Sequence, residues 1–256
     1  ERMKKWLKLR YTESTADPSA LNNYVAGVKK DVRTLKNNKQ QRLAWLAVKR
    51  HHMALKNGEN PDQLLLEIEG TAGTGKSHLI NLWMDFLGND AVLTGTTGTA
   101  AFLIGGRTAH SALSLPTKDS QKENLATNKL HSLQSQWGYD TRHAHKKKYL
   151  ILDEKSMLGL NGLYWLDQRL RQVTGKQATP FGGINIILVG DTAQLPPVGD
   201  QALCCTMGSL DKPNNKQARS LYKRFKAVVL TESMRQKGKK FRELLNRLRL
   251  GNSTKD

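Results

Sequence analysis

The sequence is poor in cysteine and in long apolar runs, and each shortage excludes a class of protein. Its two cysteines, Cys204 and Cys205, are adjacent, so they form neither a disulfide framework nor a four-ligand zinc site. No apolar run reaches the roughly 18 residues that a membrane-spanning helix needs, and the N-terminal ERMKKWLKLR lacks the apolar core of a signal peptide. We therefore expect a soluble protein of a reducing compartment, with no membrane partner.

Acidic residues are also scarce, since 22 Asp and Glu stand against 41 Lys and Arg, a net charge of +19. The basic excess recurs at residues 29–50, 146–148 and 212–249. Many of these cations are solvated surface charges, but an excess along the whole chain favours a polyanionic partner. Nucleic acid is favoured over an acidic membrane surface, because no long basic amphipathic helix with an aromatic apolar face is present.

The most informative segment that is present is GTAGTGKS at residues 70–77, which fits the phosphate-binding template GxxxxGK[S/T]. Its glycines allow backbone N–H groups to approach phosphate oxygens at the start of a helix. Lys76 would neutralise the β and γ phosphates and Ser77 would bind Mg²⁺. The predicted cofactor-binding residues are Gly70, Thr71, Ala72, Gly73, Thr74, Gly75, Lys76, Ser77 and His78.

The order of short apolar runs and helical patterns predicts the fold class. The phosphate loop lies between a predicted strand at 64–68 and a predicted helix that ends at Gly88. A helix is predicted at 38–55, and further buried strands at 91–94, 149–153, 184–189 and 227–230. This alternation predicts an α/β fold with an open parallel sheet, whose nucleotide site lies at the carboxyl ends of the strands.

Three segments do not follow this alternation. Residues 1–37 are interpreted as a basic, partly helical arm, and the polar segment 117–148 as a surface insertion. The last helical segment carries Phe241, Leu244, Leu245 and Leu248 on one face and is followed by the short link 252–256. Because the chain opens with Glu1 and stops in the polar GNSTKD, we expect it to be a piece of a longer protein.

Two strand ends carry residues suited to phosphoryl transfer. Asp153 and Glu154 follow a predicted buried strand, where Asp153 would hold the metal together with Ser77 and Glu154 would deprotonate the attacking water. Gln194, in GDTAQLPPV, would place its amide near the γ phosphate. Each segment alone also fits a solvated turn, and only their order after the phosphate loop favours catalysis.

Five segments together resemble a known family. GTAGTGKS, TGTAAFLIGGRTAHS, ILDEKSM, FGGINIILVGDTAQLPPV and LTESMRQ are similar, in this order, to the motifs of superfamily-one DNA helicases of the PIF (petite integration frequency) family, most of all to the helicases of Helitron transposons. The resemblance covers residues 38–251 and implies a first RecA-like domain, ATP and Mg²⁺ as cofactors, and 5′-to-3′ movement on single-stranded DNA and at DNA junctions in the nucleus. It also implies a second RecA-like domain beyond the chain end, so we expect the isolated chain to unwind DNA poorly.

The resemblance adds roles for two residues near the nucleotide. Gln41 corresponds to an upstream glutamine that contacts adenine, with Gln40 as the rival register. Arg235 corresponds to a cation that reaches the γ phosphate, which suits the charge and shape of a guanidinium. A surface charge is the alternative for Arg235. At Lys155 the chain departs from many relatives, which carry an apolar residue there, and the sequence gives no mechanism for it.

The resemblance also implies a DNA track along the segments that follow the second and third strands. Small and hydroxyl residues there suit contacts to the sugar–phosphate backbone. Trp137 and Tyr139 would either stack on bases or pack inside the domain. Two other functions stay open, namely a different P-loop ATPase such as an initiator or loader, and a DNA-binding module whose ATPase has decayed. The predicted DNA contacts are Thr97, Gly98, Thr99, Ala100, Thr108, His110 and Ser111.

Overall fold

A six-stranded sheet forms the centre of the domain in the computed structural model. Its order is β3-β2-β4-β5-β1-β6, and all neighbouring strands pair in parallel. The strands are β1 (Leu65–Gly70), β2 (Ala91–Gly95), β3 (Arg107–Thr108), β4 (Tyr149–Asp153), β5 (Asn185–Gly190) and β6 (Lys226–Leu230). The structure describes residues 35, 38–116, 124–143, 145–205, 213–234, 238, 240, 243, 244, 247 and 249.

Helices cover both faces of the sheet. Side chains of a strand alternate between its faces, so Leu150 and Leu152 join one apolar core while Tyr149 and Ile151 join the other. The first core packs against α4 to α7 and the second against α1 and α2. The helices are α1 (Lys39–Lys56), α2 (Lys76–Leu87), α3 (Gly98–Leu103), α4 (Ala109–Leu113), α5 (Thr127–Trp137), α6 (Leu160–Thr174) and α7 (Pro213–Tyr222), with 3₁₀ turns at Gly88–Asp90, Lys155–Met157 and Pro180–Gly183.

The predicted α/β fold with a parallel sheet is confirmed. Each of the five predicted strands occurs with ends within two residues of its predicted bounds, and helix α2 ends before Gly88 as expected. The sixth strand, β3, was not predicted, because its two residues are too few to show a period of burial. Parallel pairing brings the carboxyl ends of all these strands to one edge of the sheet.

The structure describes part of residues 117–148, the segment predicted to be a surface insertion. Helix α5 lies within it and buries Leu133 and Trp137, one helical turn apart, against the first core. Trp137 is 2% exposed and donates its indole N–H to the Ala112 carbonyl at 3.3 Å, so stacking of this residue on DNA is excluded in this structure. Tyr139 is half-buried and donates its hydroxyl to the Lys147 carbonyl at 3.1 Å.

Several predictions concern residues outside the described part of the chain. They include the basic arm, apart from Leu35, residues 117–123 of the insertion, and Phe241, Leu245 and Leu248 of the last helical segment. Among the described helices, none combines the length and apolarity that crossing a membrane requires.

Candidate functional site

Four of the five predicted catalytic residues, namely Lys76, Asp153, Glu154 and Gln194, lie at or just after the carboxyl ends of three adjacent strands. Gly70 ends β1, Asp153 ends β4 and Gly190 ends β5, and in the sheet β5 lies between the other two. The phosphate loop, the acidic pair and the Gln194 loop follow these three strands directly. The topology therefore brings together residues that are more than a hundred positions apart in the sequence.

The phosphate loop depends on glycine at two positions. Gly73 and Gly75 have φ angles of 83° and 89°, in the left-handed region that side chains disfavour. A Cβ atom at Gly75 would also lie 2.3 Å from Nε2 of Gln41. Within the loop, Thr74 donates its hydroxyl to the Thr71 carbonyl at 2.8 Å. The loop is thus held in one shape at the N-terminus of α2, where backbone N–H groups suit an anion.

Lys76 lies over the loop that precedes it. Its ammonium donates to the carbonyls of Gly70 at 2.8 Å and Thr71 at 3.1 Å. Burial lowers the pKa of Lys76, and nearby carboxylates, with Asp191 the strongest, oppose that shift. A cation is therefore in place for the phosphates, while Ala72, Ser77 and His78 are exposed at the same end of the helix.

The acidic pair has the environment of a catalytic site. Asp153 is 7% exposed, and burial raises its pKa although the Glu154 N–H donates to its carboxylate at 2.9 Å. Glu154 has φ 55° and ψ 47°, an uncommon conformation for a residue with a side chain. Burial and the charge of Asp153 raise the pKa of Glu154 as well. A raised pKa suits a base that must accept a proton near neutral pH.

Gln41, the predicted adenine contact, packs against the phosphate loop. It is 3% exposed and donates its side-chain amide to the Thr74 carbonyl at 2.8 Å. Its backbone N–H donates to the side chain of Asn38, which caps α1. Gln40 is half-buried on the neighbouring position. The amide of Gln41 therefore supports the loop, and an adenine contact by either glutamine stays a prediction.

The Gln194 loop and Met234 lie at the same edge. Gln194 is exposed, and its backbone N–H donates to the Asp191 carbonyl at 3.0 Å. After β6, the Met234 N–H donates to the Gly73 carbonyl of the phosphate loop at 2.7 Å. Arg235 follows Met234 directly but lies outside the described residues, so its role stays a prediction.

The predicted DNA contacts surround two short helices beside this edge. Thr97 caps α3 by accepting the Ala100 N–H at 3.1 Å, and Thr108 caps α4 by accepting the Ser111 N–H at 3.1 Å. His110 is exposed, as are Gly98, Thr99 and Ser111, whereas Ala100 is buried. The two threonine hydroxyls therefore serve the helices first, and their contact with DNA stays a prediction.

A cleft of about 900 Å³ adjoins these helices and was not predicted from the sequence. Its wall combines His110 of α4 with residues from the loops after β2, β4 and β5. The only sequence signal of this cleft is the pair Pro196 and Pro197, which indicates that the end of the Gln194 loop is rigid. Its lining includes Thr96, His110, Pro116, Met157, Trp165, Pro197 and Val198.

Comparison with known sequences gives one consistent family. A family model described as PIF1-like helicase matches residues 38–256. The ATP-dependent DNA helicase RRM3 of Saccharomyces cerevisiae is 33% identical over 199 residues, which are 73% of this chain and 25% of that protein. The ATP-dependent DNA helicase PIF1 of Xenopus laevis is 35% identical over 190 residues, 73% of this chain and 28% of that protein. The chain thus spans about a quarter of the length of these relatives.

Solved structures agree with the fold. Pif1 helicase from Candida albicans is similar with a TM-score of 0.63 and 28% identity, over 85% of this chain and 44% of that chain. A Pif1 helicase from Bacteroides in complex with ADP-AlF3 and single-stranded DNA has a TM-score of 0.56 and 26% identity, over 79% of this chain and 46% of that chain.

Proposed function

The chain belongs to the PIF1-like helicase family, and on that premise we propose that it is the first RecA-like domain of an ATP-driven motor that moves along single-stranded DNA. The predicted parallel α/β architecture agrees with that of solved Pif1 helicases. Family membership also decides against an unrelated initiator or loader ATPase. Movement in the 5′-to-3′ direction, action at DNA junctions and a nuclear location rest on the family resemblance and are parts of this proposal.

One observation carries the proposal, namely that three adjacent strands deliver Lys76, Asp153–Glu154 and the Gln194 loop to one edge. The residues present fit a nucleoside triphosphate, because the loop combines an ammonium with two glycines at positive φ angles. Lys76 would bind the β and γ phosphates, and Gln41 or Gln40 the base. Ser77 and Asp153 would hold Mg²⁺, whose bound form would neutralise charge on the phosphates.

Hydrolysis would depend on Glu154. Its carboxylate would accept a proton from the water that attacks the γ phosphate, and Gln194 would register the loss of that phosphate. The helices α3 and α4 lie next to this edge, so a movement there would reach residues 97–100 and 108–111 that we assign to the DNA track. A second RecA-like domain would complete the ATP site from the other side.

The test is ATP hydrolysis by the longest native form of the protein, with and without single-stranded DNA, beside Glu154→Gln. We expect DNA to stimulate hydrolysis, and the Glu154→Gln variant to lose about 10²–10⁴-fold of the rate while it still binds nucleotide. DNA binding without hydrolysis in either protein would show a decayed module and overturn the proposal. Unwinding of substrates with only a 5′ or only a 3′ single-stranded tail would then decide the direction.

A further inference from the structure

Lys155, which follows the catalytic pair, is buried in a cluster of charges. It is 2% exposed, and its ammonium donates to Glu67 at 3.0 Å, Glu69 at 2.7 Å and the Thr192 hydroxyl at 2.6 Å. An ammonium has three N–H donors, so these three acceptors satisfy it completely. A lysine at this depth is rare unless it is paired in this way.

The two glutamates belong to the strand that leads into the phosphate loop. Glu67 and Glu69 are two residues apart on β1, and they are 0% and 1% exposed. Glu67 also accepts the Tyr222 hydroxyl at 2.7 Å, while Glu69 accepts the guanidinium of Arg249 at 3.2 Å. Arg249 is therefore a second cation that contacts this cluster. The carboxylates of β1 are thus fixed in position from several sides.

Thr192 extends the cluster to the Gln194 loop. Its backbone N–H and its hydroxyl both donate to Glu69, at 2.9 and 2.7 Å. Thr192 precedes Gln194 by two residues, so the same carboxylate that holds Lys155 also fixes the start of the loop that carries Gln194. Lys155 therefore contacts, directly, one residue of that loop and two residues of β1.

Lys155 also lies beside the strained residue Glu154. The end of β5 passes so close to this segment that a Cβ atom at Gly190 would lie 2.8 Å from the Lys155 backbone nitrogen. The ammonium pairs with two buried carboxylates, so Lys155 cannot leave the cluster without taking its charge away from both of them.

We propose that Lys155 is a positioning residue that fixes Glu154 and the Gln194 loop relative to the strand of the phosphate loop. The inference rests on the proposed function, since it assigns Lys155 a part in ATP hydrolysis. Lys155 touches neither nucleotide nor water in this role. It acts by joining β1, the segment of Glu154 and the Gln194 loop. The relative placement of these three segments decides whether the catalytic base Glu154, the γ phosphate and Gln194 meet.

A purely stabilising ion pair predicts a different result from a positioning residue. The triple variant Glu67→Gln, Glu69→Gln, Lys155→Met removes the charges of the cluster together, and Arg249 keeps its pair with Asp191 at 2.6 Å, so the fold should persist. If the cluster of Lys155, Glu67 and Glu69 only stabilised the fold, this variant would hydrolyse ATP normally. If it positions the loops, the variant should fold and bind nucleotide but hydrolyse ATP slowly.

The experiment measures both properties in the longest native form. We expect kcat for DNA-stimulated ATP hydrolysis to fall about 10²-fold in the triple variant, with KM for ATP changed less than about threefold. Lys155→Arg should retain part of kcat, because its guanidinium keeps the charge. Asp167→Asn is the matched control, since Asp167 is 0% exposed and pairs with Arg171 at 2.8 Å on α6, away from the edge. It should lose stability and keep kcat.

Hydrogen exchange provides a readout that does not need activity. In the triple variant the Thr192 amide should exchange at least about tenfold faster than in the wild type, while amides of β4 should not change. A folded triple variant with wild-type kcat and wild-type exchange would overturn the inference. If the wild type itself hydrolyses no ATP, the proposed function fails, and unchanged exchange at Thr192 would still refute the positioning role on its own.

Discussion

The carboxyl edge of the sheet has two regions that are built differently. In the region of β1, β4 and β5, the ammonium of Lys155 and the carboxylates of Glu67 and Glu69 are buried and have identified partners. After β2 and after β3 the chain forms the short helices α3 and α4. Their surface faces solvent, and on α3 Phe102 is 84% and Leu103 77% exposed. We call these two regions the charged centre and the open edge.

The difference agrees with the functions that we propose for the two regions. Phosphoryl transfer requires a few groups at fixed distances, and buried, hydrogen-bonded ion pairs hold such distances. Gripping a DNA backbone requires contacts that form and release, which suits short capped helices and exposed side chains. In our proposal, the catalytic groups and the DNA contacts therefore lie at the ends of neighbouring strands, β4 and β2, of one sheet.

The largest effect that we expect comes from removing a buried side chain that supports the open edge. Trp137 supports α4 through its hydrogen bond to Ala112, so Trp137→Ala should lower the free energy of unfolding by about 3–5 kcal/mol. Urea unfolding would measure this, and hydrogen exchange should show the loss concentrated near α4. Tyr139→Phe is the control and should cost about 1 kcal/mol. A loss below about 1 kcal/mol in Trp137→Ala would contradict the buried placement of α5.

The next effect separates the two regions by function. Lys76→Met should lower ATP hydrolysis by about 10²–10³-fold, since it removes the donor that we assign to the phosphates, and leave affinity for single-stranded DNA within a few-fold. Steady-state hydrolysis and fluorescence anisotropy measure the two properties. Lys129→Met, an exposed change on α5, should leave hydrolysis unchanged. Equal losses of hydrolysis and DNA affinity in Lys76→Met would mean that the regions are not separable.

A third effect tests the charged centre by pH. Burial and the charge of Asp153 raise the pKa of Glu154, and the base works only when it is ionised. As the pH falls through this raised value, kcat/KM for ATP should therefore decline, at a pH above the ordinary glutamate pKa of about 4.3. A pH profile measures the midpoint. A midpoint at or below 4.3 would show that Glu154 is solvated or is not the base.

The smallest effect concerns the caps of the open edge. Thr97→Ala removes the acceptor of the Ala100 N–H and should destabilise α3 by about 1 kcal/mol, whereas Thr97→Ser should keep the cap. We expect DNA affinity to follow the cap, falling several-fold in the alanine variant alone. DNA titrations at fixed salt compare the three proteins. Loss of affinity in Thr97→Ser as well would instead implicate the threonine methyl group.

The strands and the phosphate loop were predictable because their signals are local. Apolar runs of four to six residues and a glycine-rich template are read from neighbours in the sequence. The charged centre was not predictable in the same way. Glu67 and Glu69 interrupt an apolar run, and Lys155 stands among catalytic residues, but the contacts that join them link positions about 90 residues apart.

Trp137 also shows that local sequence does not reveal the partners of a residue. An aromatic residue near a basic run suits both DNA stacking and packing, and only the position of Ala112, 25 residues earlier, decides between them. The short strand β3 and the cleft beside His110 likewise depend on which loops the sheet brings together. Local pattern therefore predicted most strands and the position of the phosphate loop, while the partners of each residue required the topology.

The buried cluster of Glu67, Glu69 and Lys155 also restricts how this sequence can change. Replacement of Lys155 alone removes the ammonium that pairs with both buried carboxylates, at a cost of several kcal/mol. Replacement of all three by neutral residues does not carry that cost, so their effects are strongly non-additive. A lineage that exchanges this arrangement for an apolar one must pass through poorly folded intermediates or change all three codons together. We therefore expect the three positions to change together among related sequences.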